Sequence, residues 1–344
     1  MLTVGVDVGG TSVRAGVVDS HGDVLDLTRA GTPSAETALE DVITEVVCEL
    51  TARHRVSAVG LAVAGFVAED RRTVRFAPHL AWRQAPVADR ISARVGLPVV
   101  LEHDANAAAL AEHRFGAARG TGVAVLVALG TGIGGALLLD GKLFRGAHGV
   151  APELGHLTLV PDGRPCPCGK NGCWERYCSG TALATTAIEL LARYPGISTL
   201  LAREAAADSR AVTGRRVAAA ARDGDPLAER AMGELSRWLG QGLALIADLY
   251  DPEVVVIGGG VSESSPLFLD EAREHYATMV TGAGQRPLAR IRPAQLGDDS
   301  AIVGSATLAA ESMGPMARIG LGRRITTDFD GGRTKFSRRA ERRL

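Results

Sequence analysis

Two stretches of this chain repeat one pattern, and that repeat narrows its possible folds more than any other feature. Residues 2–8, 13–19 and 24–28 read as three short strands separated by Gly9-Gly10 and by Ser20-His21-Gly22. The same layout returns at residues 122–129, 135–140 and 142–144, with Gly9 and Asp19 matching Gly130 and Asp140 at one constant offset. An antiparallel meander present twice predicts an internally duplicated molecule.

What lies between the meanders sets the class. Residues 34–54 carry helical apolar spacing (Ala38, Val42, Ile43, Val46, Val47, Leu50), and residues 56–64 follow as an apolar strand. A strand at 97–101 runs into an alanine-rich helix over 104–114, with His103 or Asp104 as its N-cap. In the second half, an apolar helix at 235–249 is broken by Asp251-Pro252, and a buried-type strand at 254–257 ends in Gly258-Gly259-Gly260. Strands alternating with helices make the chain α/β. At 344 residues and 46% hydrophobic content it exceeds what one growing core accommodates, so two domains are expected.

Charge and targeting signals restrict the partners. A net charge of -1 argues against nucleic acid or an anionic membrane as main partner and favours small molecules. No stretch of about 18 uncharged apolar residues occurs, and the start lacks a basic, cleavable leader, so a cytoplasmic protein is expected. From Arg318 to Leu344, nine Lys/Arg face three Asp/Glu with little apolar periodicity. Residues 314–344 are therefore expected to be a disordered basic tail.

Two glycine turns offer a phosphate cradle. Asp7-Val8-Gly9-Gly10-Thr11 follows a strand directly, so bare backbone N–H groups and the Thr11 hydroxyl can approach phosphate oxygens, with Asp7 holding magnesium through water. The second copy, from Gly130 through Thr131 and Gly132 to Gly135, is denser in glycine and again presents a hydroxyl. Two such turns can grip one polyphosphate from both sides. Gly258 and Gly259, closing a buried strand, suit a flat ligand such as adenosine. No Walker GxxxxGK[ST] is present and no GxGxxG precedes a helix with an acidic residue downstream, which places nucleotide between two lobes instead.

Chemistry concentrates in two further motifs. Asp104 sits where a strand meets a helix N-terminus, a position from which a carboxylate can accept the proton of an attacking hydroxyl in phosphoryl transfer. Downstream, Glu153-Leu154-Gly155-His156 precedes Cys166-Pro167-Cys168 and Cys173-Trp174-Glu175. One imidazole and three thiolates, His156, Cys166, Cys168 and Cys173, complete a closed tetrahedral zinc shell, which makes the metal structural. The second nitrogen of His156 then has a fixed direction, and with Glu153 and Glu175 forms a set suited to sugar hydroxyls. Of the five cysteines, Cys48 is isolated and Cys178 falls outside the ligand spacing, as a small buried residue would.

These segments, DVGGT, LEHDANAAALAE, LGTGIGGALLLDGKLFRGAHG, ELGH, CPCGKNGCWERY and VVVIGGG, resemble the ROK family of repressors and sugar kinases, above all its bacterial glucokinases, over about residues 1–312. The resemblance implies an actin-like, hexokinase-like fold of duplicated ribonuclease H-like lobes. It implies a small lobe of residues 1–115 plus 300–313 and a large lobe of 116–299 carrying the zinc knot and adenosine site. It implies ATP with Mg2+ and a structural Zn2+, a hexose substrate, and assembly as a dimer or tetramer. Asp104 would be the catalytic base, and Gly65, His103, Glu153, His156 and Glu175 would line the sugar. Asp7, Gly9, Gly10, Thr11, Thr131 and Gly132 would serve phosphates and magnesium, with Gly258 and Gly259 at adenosine.

The chain departs from the family pattern at a few positions. The family usually reads Glu-Asn-Asp where this chain has Glu102-His103-Asp104, and that Asn contacts sugar hydroxyls. His79 stands where Asn is common, Ser12 where Lys is frequent, and Pro152 where Gly is frequent. The expected reaction is transfer of the ATP γ-phosphoryl group to the 6-hydroxyl of glucose. His103 raises two alternatives: mannose, fructose or an N-acetylhexosamine as substrate, or a low-activity sugar-binding protein. A sugar-responsive repressor is not expected, since the sequence starts at the first strand with no helix-turn-helix ahead of it.

Overall fold

The computed structural model describes residues 1–314, so the basic tail lies almost wholly outside the described residues. The first sheet is built from β1 (Thr3–Val8), β2 (Ser12–Val18), β3 (Val24–Gly31) and β4 (Val59–Val63). Beside it a small antiparallel sheet joins β5 (Phe66–Val67), β6 (Val74–Phe76) and β7 (Arg83–Ala85), and β8 (Val99–His103) then returns to the first sheet. The second sheet comprises β9 (Val123–Leu129), β10 (Ile133–Leu139), β11 (Lys142–Phe144), β12 (Val254–Gly258) and β13 (Arg290–Pro293).

The two large sheets have one topology. The first runs β3-β2-β1-β4-β8 and the second β11-β10-β9-β12-β13, each an antiparallel meander extended by two parallel strands. The duplication expected from the meanders therefore extends to whole sheets. The strands after each meander diverged too far in sequence for their kinship to be seen, because only an apolar character is needed there.

Helices fill the layers around these sheets. α1 (Glu36–Arg53) and α2 (Val87–Val95) pack on the face of the first sheet that carries Val4, Val6 and Val8. α3 (Asp104–Phe115) lies between the two sheets, its Ala105, Ala109 and Leu110 meeting Leu126, Ala136 and Val256 of the second. Beyond the second sheet, α4 (Gly180–Arg193), α5 (Leu200–Ala207), α6 (Gly214–Arg222), α7 (Pro226–Tyr250) and α8 (Leu269–Met279) share a core with Val125, Val127 and Leu129. The final helix, α9 (Ser300–Ser312), returns to the first sheet and packs on α3, β1 and β4. Period-two alternation in β1 and β9 sends successive side chains to these opposite layers.

Small residues set the spacing of the inner layer. A Cβ on Gly60 would run into the backbone of Ser305, and one on Gly304 into the backbone of Ala107, so α9 can approach both β4 and α3 only with glycine at those points. The alanine run of α3 has the same cause: a helix wedged between two layers has no room for long side chains. α7 starts well before the expected residue 235. Asp225 caps it by accepting from the N–H groups of Leu227 and Ala228, with Pro226 in the first turn. Its early turns bury Leu227, Ala228, Ala231 and Met232 at helical spacing, which continues the apolar stripe of Leu235 and Leu239 toward the N-terminus.

Candidate active site

The first glycine turn links β1 to β2 and exposes Gly10 and Thr11 while Val8 and Val13 on either side are buried. Gly9 N–H donates to Ser12 O at 3.1 Å, and Thr32 Oγ1 donates to Gly9 O at 2.7 Å, so the turn is held from below. Asp7, the last polar residue of β1, pairs in register with Arg14 on β2. Arg14 in turn donates to Asp298 O at 2.8 Å and to Asp299 Oδ1 at 2.5 Å. Burial raises the Asp7 carboxyl to about 7, helped by the negative charge of Asp104 and opposed by Arg14. His79 packs beside this turn, its Cβ at 3.0 Å from where a Gly10 side chain would start.

The second turn, between β9 and β10, repeats the pattern, with Thr131 exposed and Ile133 buried. Gly130 O accepts from Gly180 N at 2.8 Å, which fastens the turn to the start of α4. Gly259 lies at its side with φ of 78°, and a Cβ there would fall 2.5 Å from Leu129 O. Glycine at 259 is thus required by packing and backbone conformation as well as by any ligand. Around Gly260 nothing approaches within 4 Å, and Gly258 has only ordinary neighbours. The second and third glycine runs therefore converge on the ends of β9 and β12.

Asp104 occupies the first position of α3, not the cap. The N-cap is His103, whose side chain makes no capping bond, and Asp104 Oδ1 accepts from Ala105 N–H at 2.7 Å while the carboxylate stays 40% exposed. His103 Nε2 lies 3.2 Å from Asp104 Oδ1. A cleft beside them is lined by Gly65, His103, Asn106, Gly135, Pro152 and Glu153, among others. Burial raises the Glu153 carboxyl, with His103 and His156 pulling it down and Asp104 and Glu175 pushing it up. His103, Asp104, His156 and Glu175 thus lie near enough to Glu153 for their charges to act on it.

The cysteine knot stands against that centre. One ligand atom each from His156, Cys166, Cys168 and Cys173 lies within 4.8 Å of all the others. His156 turns Nδ1 toward Cys166 Sγ at 3.7 Å and Nε2 toward Glu153 Oε2 at 3.8 Å. Glu175 approaches from the other side, with Oε1 at 3.2 Å from Cys166 Sγ and Oε2 accepting from Ile133 N–H at 3.4 Å. Trp174 roots the knot in the core: it is fully buried, its Nε1 donates to Trp238 O at 2.9 Å, and its ring fills the space beside Gly242. Cys178 is buried and outside the cluster.

A profile of the ROK family matches residues 3–312. The chain belongs to the ROK family. It is 43% identical over 310 residues to a glucokinase of Streptomyces coelicolor, a match spanning 90% of this chain and 98% of that one. The solved structure of a ROK family glucokinase from Streptomyces griseus, in complex with glucose and AMPPNP, superimposes with a TM-score of 0.82 at 43% identity, covering 90% of this chain and all of that one. The ROK hexokinase from Thermus thermophilus gives 0.72 at 32% identity, covering 91% and 99%. The duplicated, hexokinase-like α/β fold implied by the motifs is the fold of this ROK chain.

One part of the ROK site was not anticipated. Glu102, on β8 next to His103, is buried and meets Arg145, Asn106 and Arg71. A charge at a buried position of an apolar strand was the available signal. The Arg14 contact to Asp298 and Asp299 behind Asp7 was also unseen, because those residues lie 284 and 285 positions apart. Among the described residues, no helix is long and apolar enough to cross a membrane.

Proposed function

We propose that this ROK protein is an ATP-dependent glucokinase in which Asp104 accepts the proton of the sugar 6-hydroxyl as that oxygen attacks the γ-phosphorus. The bond from the γ-phosphorus to the bridging oxygen of ADP breaks as the new phosphorus–oxygen bond forms. The observation that supports this reading is Asp104 at the first position of α3, partly exposed and near enough for its charge to raise both the Asp7 and the Glu153 carboxyls. A positioned carboxylate and electrostatic support for the phosphates are what phosphoryl transfer requires.

The remaining residues divide by chemistry. Glu153, His156 and Glu175, with Gly65 and His103, receive sugar hydroxyls, and a sugar lacking one strands a carboxylate. Backbone N–H groups of Gly10 and Gly132 and the hydroxyls of Thr11 and Thr131 receive phosphate oxygens, while Gly9, whose own N–H is taken by Ser12 O, lets the turn approach the phosphates closely, with Gly258 and Gly259 beside adenosine. Mg2+ arriving with ATP would neutralise phosphate charge, and Asp7 would be the carboxylate that holds it, through water. His156, Cys166, Cys168 and Cys173 fit zinc: the Cys168 and Cys173 sulfurs are 3.6 Å apart, and a tetrahedral site with bonds of about 2.3 Å sets sulfurs about 3.8 Å apart. Zinc supplies rigidity to the sugar loop. The lobes of this reading are residues 1–115 with 300–313 and residues 116–299, in a cytoplasmic dimer or tetramer.

Asp104→Asn tests the assignment. Turnover should fall by about 10²-fold or more with little change in the KM for ATP, and near-normal turnover would refute the base. A second reading, another hexose such as mannose, fructose or an N-acetylhexosamine, draws on the imidazole of His103 standing against Asp104. Initial rates of ADP release across a hexose panel decide between them.

A further inference from the structure

Glu102 is a charge where β8 calls for an apolar side chain, and its partners come from several parts of the molecule. The side chain is 3% exposed. Oε2 accepts from Arg145 Nε at 2.8 Å and Nη2 at 2.5 Å, and Arg71 Nε stands 3.5 Å away. Oε1 accepts from Asn106 Nδ2 at 2.9 Å and from the backbone N–H of His103 at 3.1 Å. Glu102 belongs to the first sheet and Arg145 follows β11 of the second, so the pair joins the two halves of the molecule.

Arg145 is also the root of the segment that delivers Glu153. Ala151 N–H donates to Arg145 O at 3.1 Å, which closes residues 145–151 into a loop ending two positions before Glu153. Gly149 seats this loop on the small sheet, since a Cβ there would lie 2.7 Å from Val67 O. Asn106 is tied to the same node. Its Nδ2 is committed to Glu102, so the amide cannot turn over without setting its oxygen against a carboxylate. Asn106 Oδ1 is left buried and unpartnered in the wall of the cleft that Gly65, His103 and Glu153 line.

We propose that Glu102 and Arg145 form an interlobe positioning pair that sets the Glu153 loop against His103 and Asp104, and so determines hexose affinity. The claim rests on the hexose kinase reading above. Bulk stability is a poor reason for the pair, because a buried ion pair can often be replaced by apolar groups without loss, whereas its geometry orients every group it touches. Neither residue is expected to touch substrate. They act through His103, Asn106 and the loop.

The experiment compares wild type, Arg145→Lys and Arg71→Lys by steady-state kinetics, with melting temperature and zinc content as checks on folding. Lysine keeps the charge at 145 but loses the two-pronged contact. Arg145→Lys should raise the KM for glucose about tenfold and leave the KM for ATP within about twofold. Arg71→Lys, which loosens the same carboxylate without touching the 145–151 loop, should change neither. Equal effects of the two variants, or a lower kcat at unchanged KM, would overturn the proposal. If Arg145→Lys does not fold, the double variant Glu102→Leu with Arg145→Met removes both charges together and should show the same glucose shift; an unchanged KM there also overturns it. A wild type that phosphorylates no hexose refutes the functional reading and the pair with it, while an active wild type with an unshifted Arg145→Lys refutes the pair alone.

Discussion

Glu175 Oε2 accepts from the backbone N–H of Ile133 at 3.4 Å and fills the space that a side chain on Gly132 would need. A carboxylate assigned to sugar thus props the turn assigned to phosphate. Gly132→Ala should displace Glu175, raising the KM for hexose about tenfold in addition to any loss in ATP affinity. Kinetics with each substrate varied in turn would check this. An effect on ATP alone would remove Glu175 from the sugar site.

Zinc should be retained at one ion per chain and lost in Cys173→Ser, as measured by elemental analysis. Closed Cys3His sites contribute about 10 kcal/mol to the structure they organise. Because Nε2 of His156 faces Glu153 while Nδ1 faces Cys166, metal removal should weaken hexose binding far more than nucleotide binding. Calorimetric titration of metal-free protein with each ligand separates the two. Equal losses would point to general unfolding.

Asp7 gives a pH signature. Its carboxyl is raised from 3.8 to about 7, first by burial and then by Asp104. The native state therefore holds this proton more tightly than the unfolded chain does. The stability it contributes is complete below about pH 4 and is lost as pH rises to about 7. Asp7→Asn, uncharged throughout, should gain on wild type by on the order of 1–3 kcal/mol between pH 5 and pH 8. Urea unfolding without Mg2+ or nucleotide measures the difference. A gap independent of pH would mean that Asp7 is ionised in the native site.

His103, 3.2 Å from Asp104, brings an imidazole to the wall of the cleft that Gly65 and Glu153 also line. An imidazole is bulkier than an amide and offers a different set of donors and acceptors to a sugar hydroxyl. His103→Asn should increase glucose turnover, measured as initial rates of ADP release across a hexose panel. A turnover and a hexose ranking identical to wild type would show that the imidazole has no part in specificity.

Much of the site could be read from the chain, because its signals are local. Glycines follow strands within a few residues, and three cysteines and a histidine with tight turns between them have few chemical uses. The small sheet around Phe66, Val74 and Arg83 had no such signal: its strands span two or three residues, too few for a period to register. The helices from Gly180 to Arg222 carry no motif that marks them in the sequence.

The sequence by itself determined the duplicated meanders, the α/β class, the two glycine turns, the cysteine knot and the position of Asp104 at a strand–helix junction. Each depends on residues that are neighbours in the chain, where sterics and hydrogen bonding act over short range. Tertiary structure alone decided that Glu102 meets Arg145 across 43 positions, that α9 returns to the first sheet at Gly60, and that Glu175 supports Gly132. Such pairs are chosen by the packing of whole layers, and residue type sets only whether a meeting is tolerated, not where it occurs.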